Sequence, residues 1–282
     1  INKKKNNKMI IDSLTHILPE EISKNLNQFK TLDSIFKDLF DKNTKIVQVE
    51  QLIKQMKKNG INKSVTAGFG WTNHELAIMV NDYILLSKKQ FPEEIIPFCS
   101  LDINSKKSEE ELLRCISKGV KGIGELHINN LENILDNKIF KNILKIALHY
   151  NLPIIIHGSE PIGHKYRGKG RSYPKFLFKL VEKNQDNIFI FSHFGGGLVF
   201  YEQMPEIKKI STNVFYDSAA QPFLYDKSIY RTSILSSSIN KILFASDFPL
   251  IDLNKCLKQT DYLTDIEKKH IFSYNPISVF NL

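Results

Sequence analysis

The chain has 282 residues, 42% of them hydrophobic, enough to bury one large core and close to the length of a single α/β barrel of about 250 residues. Lysine and arginine outnumber aspartate and glutamate by 39 to 30, a net charge of +9. No aromatic-basic repeat or nucleic-acid motif accompanies that charge, which excludes a nucleic-acid partner from the reading. Three scattered cysteines, Cys99, Cys115 and Cys256, exclude a disulfide framework and a thiolate metal knot, and no apolar run approaches the roughly 18 residues of a membrane span or forms a secretory signal. The expectation is a soluble, cytoplasmic protein in a reducing compartment.

Lys3, Lys4, Lys5 and Lys8 crowd the start of the chain, and residues 1–8 read as a disordered basic tail ahead of one domain over 9–282. Short apolar runs then recur at 9–12, 63–67, 95–100, 122–126, 153–157, 188–193, 214–217 and 242–246. Several, such as Ile154-Ile155-Ile156 and Ile188-Phe189-Ile190-Phe191, are apolar throughout, as strands covered on both faces should be. Between them lie helical periods: Val49, Leu52, Ile53, Met56, then Leu112, Leu113, Ile116, then Phe140, Ile143, Leu144, Ala147. Eight strands alternating with amphipathic helices predict a single-domain (β/α)8 barrel. The segment 20–43 reads as an insertion or lid after the first strand.

In such a barrel the catalytic groups sit where strands end. The first strand runs into His16, the fifth ends at His157, the sixth at His193, and Asp247 follows the eighth. Three imidazoles and a carboxylate are the donors a catalytic divalent ion takes while keeping one position open. Asp247 suits a proton acceptor and His193 a polarising or proton-donating group. The loop after the fifth strand carries His164, Lys165, Arg167, Lys169 and Arg171 among glycines, and it reads either as a cradle for a carboxylate or phosphate or as a solvated loop. Trp71, after the second strand, reads either as a pocket wall or as core. Gly195-Gly196-Gly197 reads as an anion-binding helix start or a tight turn, and Asp217-Ser218-Ala219-Ala220 as small residues that leave room for substrate.

On Ile10-Ile11-Asp12 through His16-Ile17-Leu18-Pro19, Gly122-Ile123-Gly124-Glu125-Leu126-His127, Ile156-His157, Ser192-His193-Phe194-Gly195-Gly196 and Ile242 through Pro249, the chain resembles the amidohydrolase superfamily. The likeness is to its amidohydrolase-related branch, which includes aminocarboxymuconate semialdehyde decarboxylase-like proteins. The resemblance implies His16 and His157 as metal ligands, Asp247 as ligand or proton acceptor, and His193 as ligand or substrate-polarising group. The family's H-x-H after the first strand is broken, because Leu14 stands where the first histidine belongs. Three outcomes are open: a divalent metal, Zn²⁺ first, held by His16, His157 and Asp247; the lost ligand replaced by Glu125; or a metal-free or inactive ligand-binding barrel. The leading expectation is a hydrolase that uses activated water on a small carboxylate-bearing substrate. Non-oxidative decarboxylation on the same scaffold is the alternative, and the resemblance also admits a homodimer.

Overall fold

A computed structural model describes residues 9–128 and 134–282; the tail expected over residues 1–8 lies outside the described residues. Eight parallel strands follow one another in chain order around a (β/α)8 barrel: β1 Ile11–Thr15, β2 Lys63–Thr66, β3 Ile95–Cys99, β4 Gly122–Leu126, β5 Ile154–Ile156, β6 Phe189–Phe191, β7 Val214–Asp217 and β8 Ile242–Leu243. The sheet closes between β1 and the segment after β8. There Ser13 N donates to Phe244 O at 2.8 Å, Asp247 N to Leu14 O at 3.1 Å and His16 N to Phe248 O at 2.7 Å.

The all-apolar strands divide their side chains by strict alternation. Ile155 and Ile190 join an inner cluster with Leu14, Val65, Ala67, Ile96, Phe98, Leu243 and Ala245. Their neighbours Ile154, Ile156, Phe189 and Phe191 face the helical layer. That layer includes α1 Glu20–Lys24, α2 Leu26–Leu32, α3 Ser34–Leu39, α4 Val49–Asn59, α5 His74–Gln90, α6 Ser108–Ser117, α7 Lys138–His149 and α8 Pro174–Lys183. In α4 and α7 the inward residues are the expected ones, Val49, Leu52, Ile53 and Met56, then Phe140, Ile143, Leu144 and Ala147. In α6 the expectation is corrected. Leu113 is 44% exposed and the buried face is Ser108, Glu111, Leu112 and Cys115. Glu111 turns inward because Arg114 and Asn81 neutralise and bond it, with Arg114 Nε at 2.6 Å and Asn81 Nδ2 at 2.7 Å.

The strand β1 ends three residues later than its apolar run suggests, and its register against β2 shifts between Asp12 and Thr15. The shift explains why Ile11 and Leu14, three apart, both point inward. The segment 20–43, expected as an insertion or lid, carries α1, α2 and α3 after β1. Asp33 fastens it, capping α3 through Phe36 N at 2.7 Å and accepting from Thr72 N and Asn73 N at 2.6 and 2.9 Å. Cys99, Cys115 and Cys256 are free thiols and buried. No helix among the described residues is long and apolar enough to cross a membrane.

Candidate active site

The C-terminal ends of the strands surround a cavity of about 430 Å³ whose floor is His16, Glu125, His127, His157, His193 and Asp247. Each floor residue is placed by strand geometry. His16 follows β1, Glu125 lies in β4 with His127 just past its end, His157 follows β5, His193 follows β6 and Asp247 follows β8. Two of them sit on unusual backbone: His193 has φ +57° and Asp247 φ +61°. Non-glycine residues rarely occupy that left-handed region unless the surroundings hold them there. At Asp247 the holder is Asp12, which accepts from Ser246 N at 2.9 Å and Ser246 Oγ at 2.6 Å. Burial pushes the Asp12 carboxyl up to about 7. At His193 the following turn is closed by Gly196, whose φ is +58° and where a Cβ would lie 2.2 Å from Ser159 O. Gly195-Gly196-Gly197 is therefore a tight turn packed against the β5 loop.

The hydrogen bonds of three imidazoles fix which ring nitrogen carries the proton. His16 Nδ1 lies 2.9 Å from Ala67 O, His193 Nδ1 2.8 Å from Ala219 O, and His157 Nε2 3.1 Å from Lys169 O. A carbonyl oxygen only accepts, so these nitrogens donate and the opposite ones, His16 Nε2, His193 Nε2 and His157 Nδ1, present lone pairs in the neutral rings. All three face Glu125, at 3.6 Å from Oε2 for His16 and at 3.7 and 3.2 Å from Oε1 for His193 and His157. His193 Nε2 and His157 Nδ1 are 3.2 Å apart. His16 Nε2 also lies 3.2 Å from Asp247 Oδ1, yet it is buried without a hydrogen bond among the described residues.

Lone pairs and carboxylate oxygens at such distances in a buried site repel unless a positive charge sits among them. The field is consistent with that demand. Burial opposes protonation of His16, but Asp247 and Glu125 raise its pKa above the ordinary imidazole value. For His193 burial is likewise outweighed by Glu125 and Asp247. Glu125 is buried, yet His127 and His157 hold it well below the usual carboxylate range. Glu125, His157 and His193 each offer one ligand atom, and these atoms lie within 4.8 Å of one another. The unbonded His16 Nε2 and this nitrogen and oxygen donor set fit a divalent ion. Another such grouping among the described residues, Cys99, Glu111 and Cys115, lies behind the barrel with its carboxylate already committed to Arg114 and Asn81.

The other expected contacts fall in different places. Arg167 lines the cavity, but its guanidinium pairs with Asp41 of the 20–43 segment at 3.3 Å. Lys169 lines an adjoining depression. Its ammonium donates to Ile162 O and His164 O at 2.8 and 3.0 Å, and its carbonyl holds His157. His164 is exposed, its ring against Phe223 and Tyr166, and lines neither cavity. Trp71 is 1% exposed and packs on Phe36 and Phe69; it belongs to the core and not to the pocket wall. Leu14 lies wholly inside the barrel's inner cluster, so no donor replaces the missing histidine at its own position.

Two residues escaped the sequence reading. His127 lies two residues beyond Glu125, stacks on His157 at 4.1 Å and approaches Glu125 Oε2 at 3.3 Å; burial and the nearby His157 bring its pKa down to about 4. The signal was the period-two spacing of Glu125 and His127 at a strand end. Lys45, two residues past the 20–43 segment, lines the cavity with its ammonium 5.7 Å above the Phe248 ring and no carboxylate partner among the described residues. Nothing in its local sequence marks it. Around them the wall is apolar, built from Leu18, Phe40, Val47, Phe69, Phe223 and Leu224.

Residues 62–282 match the sequence model of the amidohydrolase family. Over 104 residues the chain is 29% identical to the 2-amino-3-carboxymuconate-6-semialdehyde decarboxylase of Caenorhabditis elegans, a match covering 29% of this chain and 26% of that protein. The matched stretch thus spans about a quarter of that relative. The 5-carboxyvanillate decarboxylase of Sphingomonas paucimobilis superposes with a TM-score of 0.79 at 12% identity, over 98% of this chain and 99% of that one. The 5-carboxyvanillate decarboxylase of Novosphingobium aromaticivorans, complexed with manganese and 4-hydroxy-3-methoxy-5-nitrobenzoic acid, superposes with a TM-score of 0.77 at 16% identity, over 99% and 97%. These structures share the barrel.

Proposed function

Because the chain belongs to the amidohydrolase family, we propose that it is a divalent-metal-dependent carboxy-lyase that removes CO2 from a small carboxylate with an apolar body. The observation that carries this reading is the convergence of three imidazole lone pairs on Glu125 at the floor of an apolar-walled cavity. His16, Glu125, His157 and His193 would hold the ion, with Asp247 beside them. When bound, the ion supplies a Lewis acid for substrate oxygens. Glu125 thereby takes over the place in the ligand set that Leu14 leaves empty.

The remaining steps belong to side chains. Lys45 offers an ammonium to a substrate carboxylate from the cavity wall. The apolar wall holds the substrate body and keeps water away, and a carboxylate stripped of hydration there gains by dispersing its charge as CO2 departs. The electron pair of the breaking carbon–carbon bond stays on the substrate carbon. A solvent proton, taken up and relayed by Asp247 at the cavity floor, then fills that carbon. Carbon–carbon cleavage is favoured over the hydrolytic expectation because the curated relative and both solved structures named above carry decarboxylase names.

The test is to load purified protein with manganese or zinc and measure CO2 release from 5-carboxyvanillate and 2,6-dihydroxybenzoate, alongside acid release from a lactone dicarboxylate. CO2 release from an aromatic carboxylate, abolished by chelation and by His157→Ala, is the expected result. Lactone hydrolysis with no CO2 from either benzoate would return the hydrolase reading.

A further inference from the structure

Asp217 is a buried carboxylate at the end of β7 that none of the steps above uses. Its Oδ1 accepts from two backbone amides, His193 N at 3.2 Å and Ala219 N at 2.9 Å. Ala219 O in turn accepts from His193 Nδ1 at 2.8 Å. The three contacts form a closed ring in which one carboxylate oxygen fixes both the left-handed backbone of His193 and the carbonyl that receives its ring proton. Asp217 is fully buried, and its Oδ2 has no hydrogen-bond partner among the described residues. A stable fold alone gives no reason to bury a carboxylate with one oxygen unsatisfied, since that costs free energy that an apolar residue would not.

We propose that Asp217 is a positioning residue: by bridging the amides of His193 and Ala219 it holds His193 in the Nδ1–H tautomer and keeps the Nε2 lone pair turned to Glu125. The idea rests on the reading of His193 as a member of the metal-side cluster. Outer partners of this kind fix the tautomer and ring direction of ligating histidines, and their loss typically costs about 10–100-fold in metal affinity. Here the tie differs from a direct carboxylate–imidazole bond. The carboxylate holds the peptide whose carbonyl holds the ring, so an uncharged acceptor of the same shape should serve as well.

Two substitutions separate these properties. Asp217→Asn keeps an acceptor oxygen and loses the charge, while Asp217→Leu keeps the volume and loses the acceptor. Nitrogen-15 spectra of histidine-labelled protein report the His193 tautomer without any metal, and manganese titration reports affinity. Asp217→Asn is expected to keep the wild-type tautomer and an affinity within about threefold. Asp217→Leu is expected to populate the Nε2–H tautomer and to lose about tenfold or more in manganese affinity. An unchanged tautomer in Asp217→Leu overturns the proposal. Should that variant fail to fold, a changed tautomer in a folded Asp217→Asn overturns it equally, and an unchanged one supports it. A wild-type protein that binds no manganese defeats the metal reading of the site, while the tautomer measurement still decides the role of Asp217.

Discussion

Leu14 carries the one break in the family's pattern, and its surroundings say what the break costs. The side chain is fully buried in the inner cluster with Ile11, Ala67, Ala245 and Leu243, and it does not line the cavity where His16, Glu125 and Asp247 meet. It is a packing residue under the floor. Leu14→Ala should therefore lower stability by about 2–5 kcal/mol, as buried leucine truncations do, and leave manganese affinity within about threefold. Parallel urea unfolding and metal titration check this, and a large affinity loss at unchanged stability would place Leu14 at the ion. At this scale His157, His193 and Asp247 were legible because each sits at or just past the end of an apolar run, and His16 because the first strand runs into it. Glu125 was legible only as a substitute. Its central position depends on three hydrogen-bonded tautomers, which are set by the carbonyls of Ala67, Lys169 and Ala219 and leave no trace in the residue types. Trp71 and His164 were misleading for the opposite reason: an aromatic or basic residue near a strand end can turn to the core or to solvent with equal ease.

Between elements, the clearest device is the junction of α5, β3 and α6. Asn81 of α5 exchanges two hydrogen bonds with Ser100 past the end of β3, at 2.8 and 2.9 Å, and bonds Glu111 of α6. Arg114 closes on Glu111 from Nε and Nη2 and on Asp82 from Nη1. Burial would raise the Glu111 pKa, but the bonds from Arg114 and Asn81 outweigh it and leave it below its ordinary value of 4.5. A carboxylate depressed in the folded state contributes stability that is fully present above the unfolded value and is lost as pH falls through the folded one. Wild type should exceed Glu111→Gln by about 1–3 kcal/mol at pH 7, and the gap should narrow below about pH 4.5. Urea midpoints at pH 7 and pH 3 measure it, and a gap constant with pH would contradict it. The same junction explains why α6 was misread. Hydrophobic period alone turns Leu113 inward, whereas a paired glutamate takes that arc of the helix. The segment after β1 does reach the cavity through Leu39 and Phe40, but that the lining continues to Val47, and so includes Lys45, depends on where the chain returns to α4.

Across the molecule, the barrel was readable because its eight apolar runs and intervening helical periods agree with one another at every step. Its closure, the late end of β1 and the turn at Gly196 are matters of register that composition does not encode. The closed barrel brings residues as far apart in sequence as His16 and Asp247 to within 3.2 Å, and it leaves buried lone pairs and carboxylates facing one another. A bound divalent ion should therefore stabilise the whole fold, by about 2.7 kcal/mol at a hundred times its dissociation constant. The most direct measurement is a manganese titration of wild type, His157→Ala and Glu125→Gln, followed by the electron paramagnetic resonance of free Mn²⁺. The account predicts one tight ion per wild-type chain, with affinity reduced at least tenfold in both variants while their circular dichroism stays native. No bound ion in wild type, or equal binding in all three proteins, would contradict it.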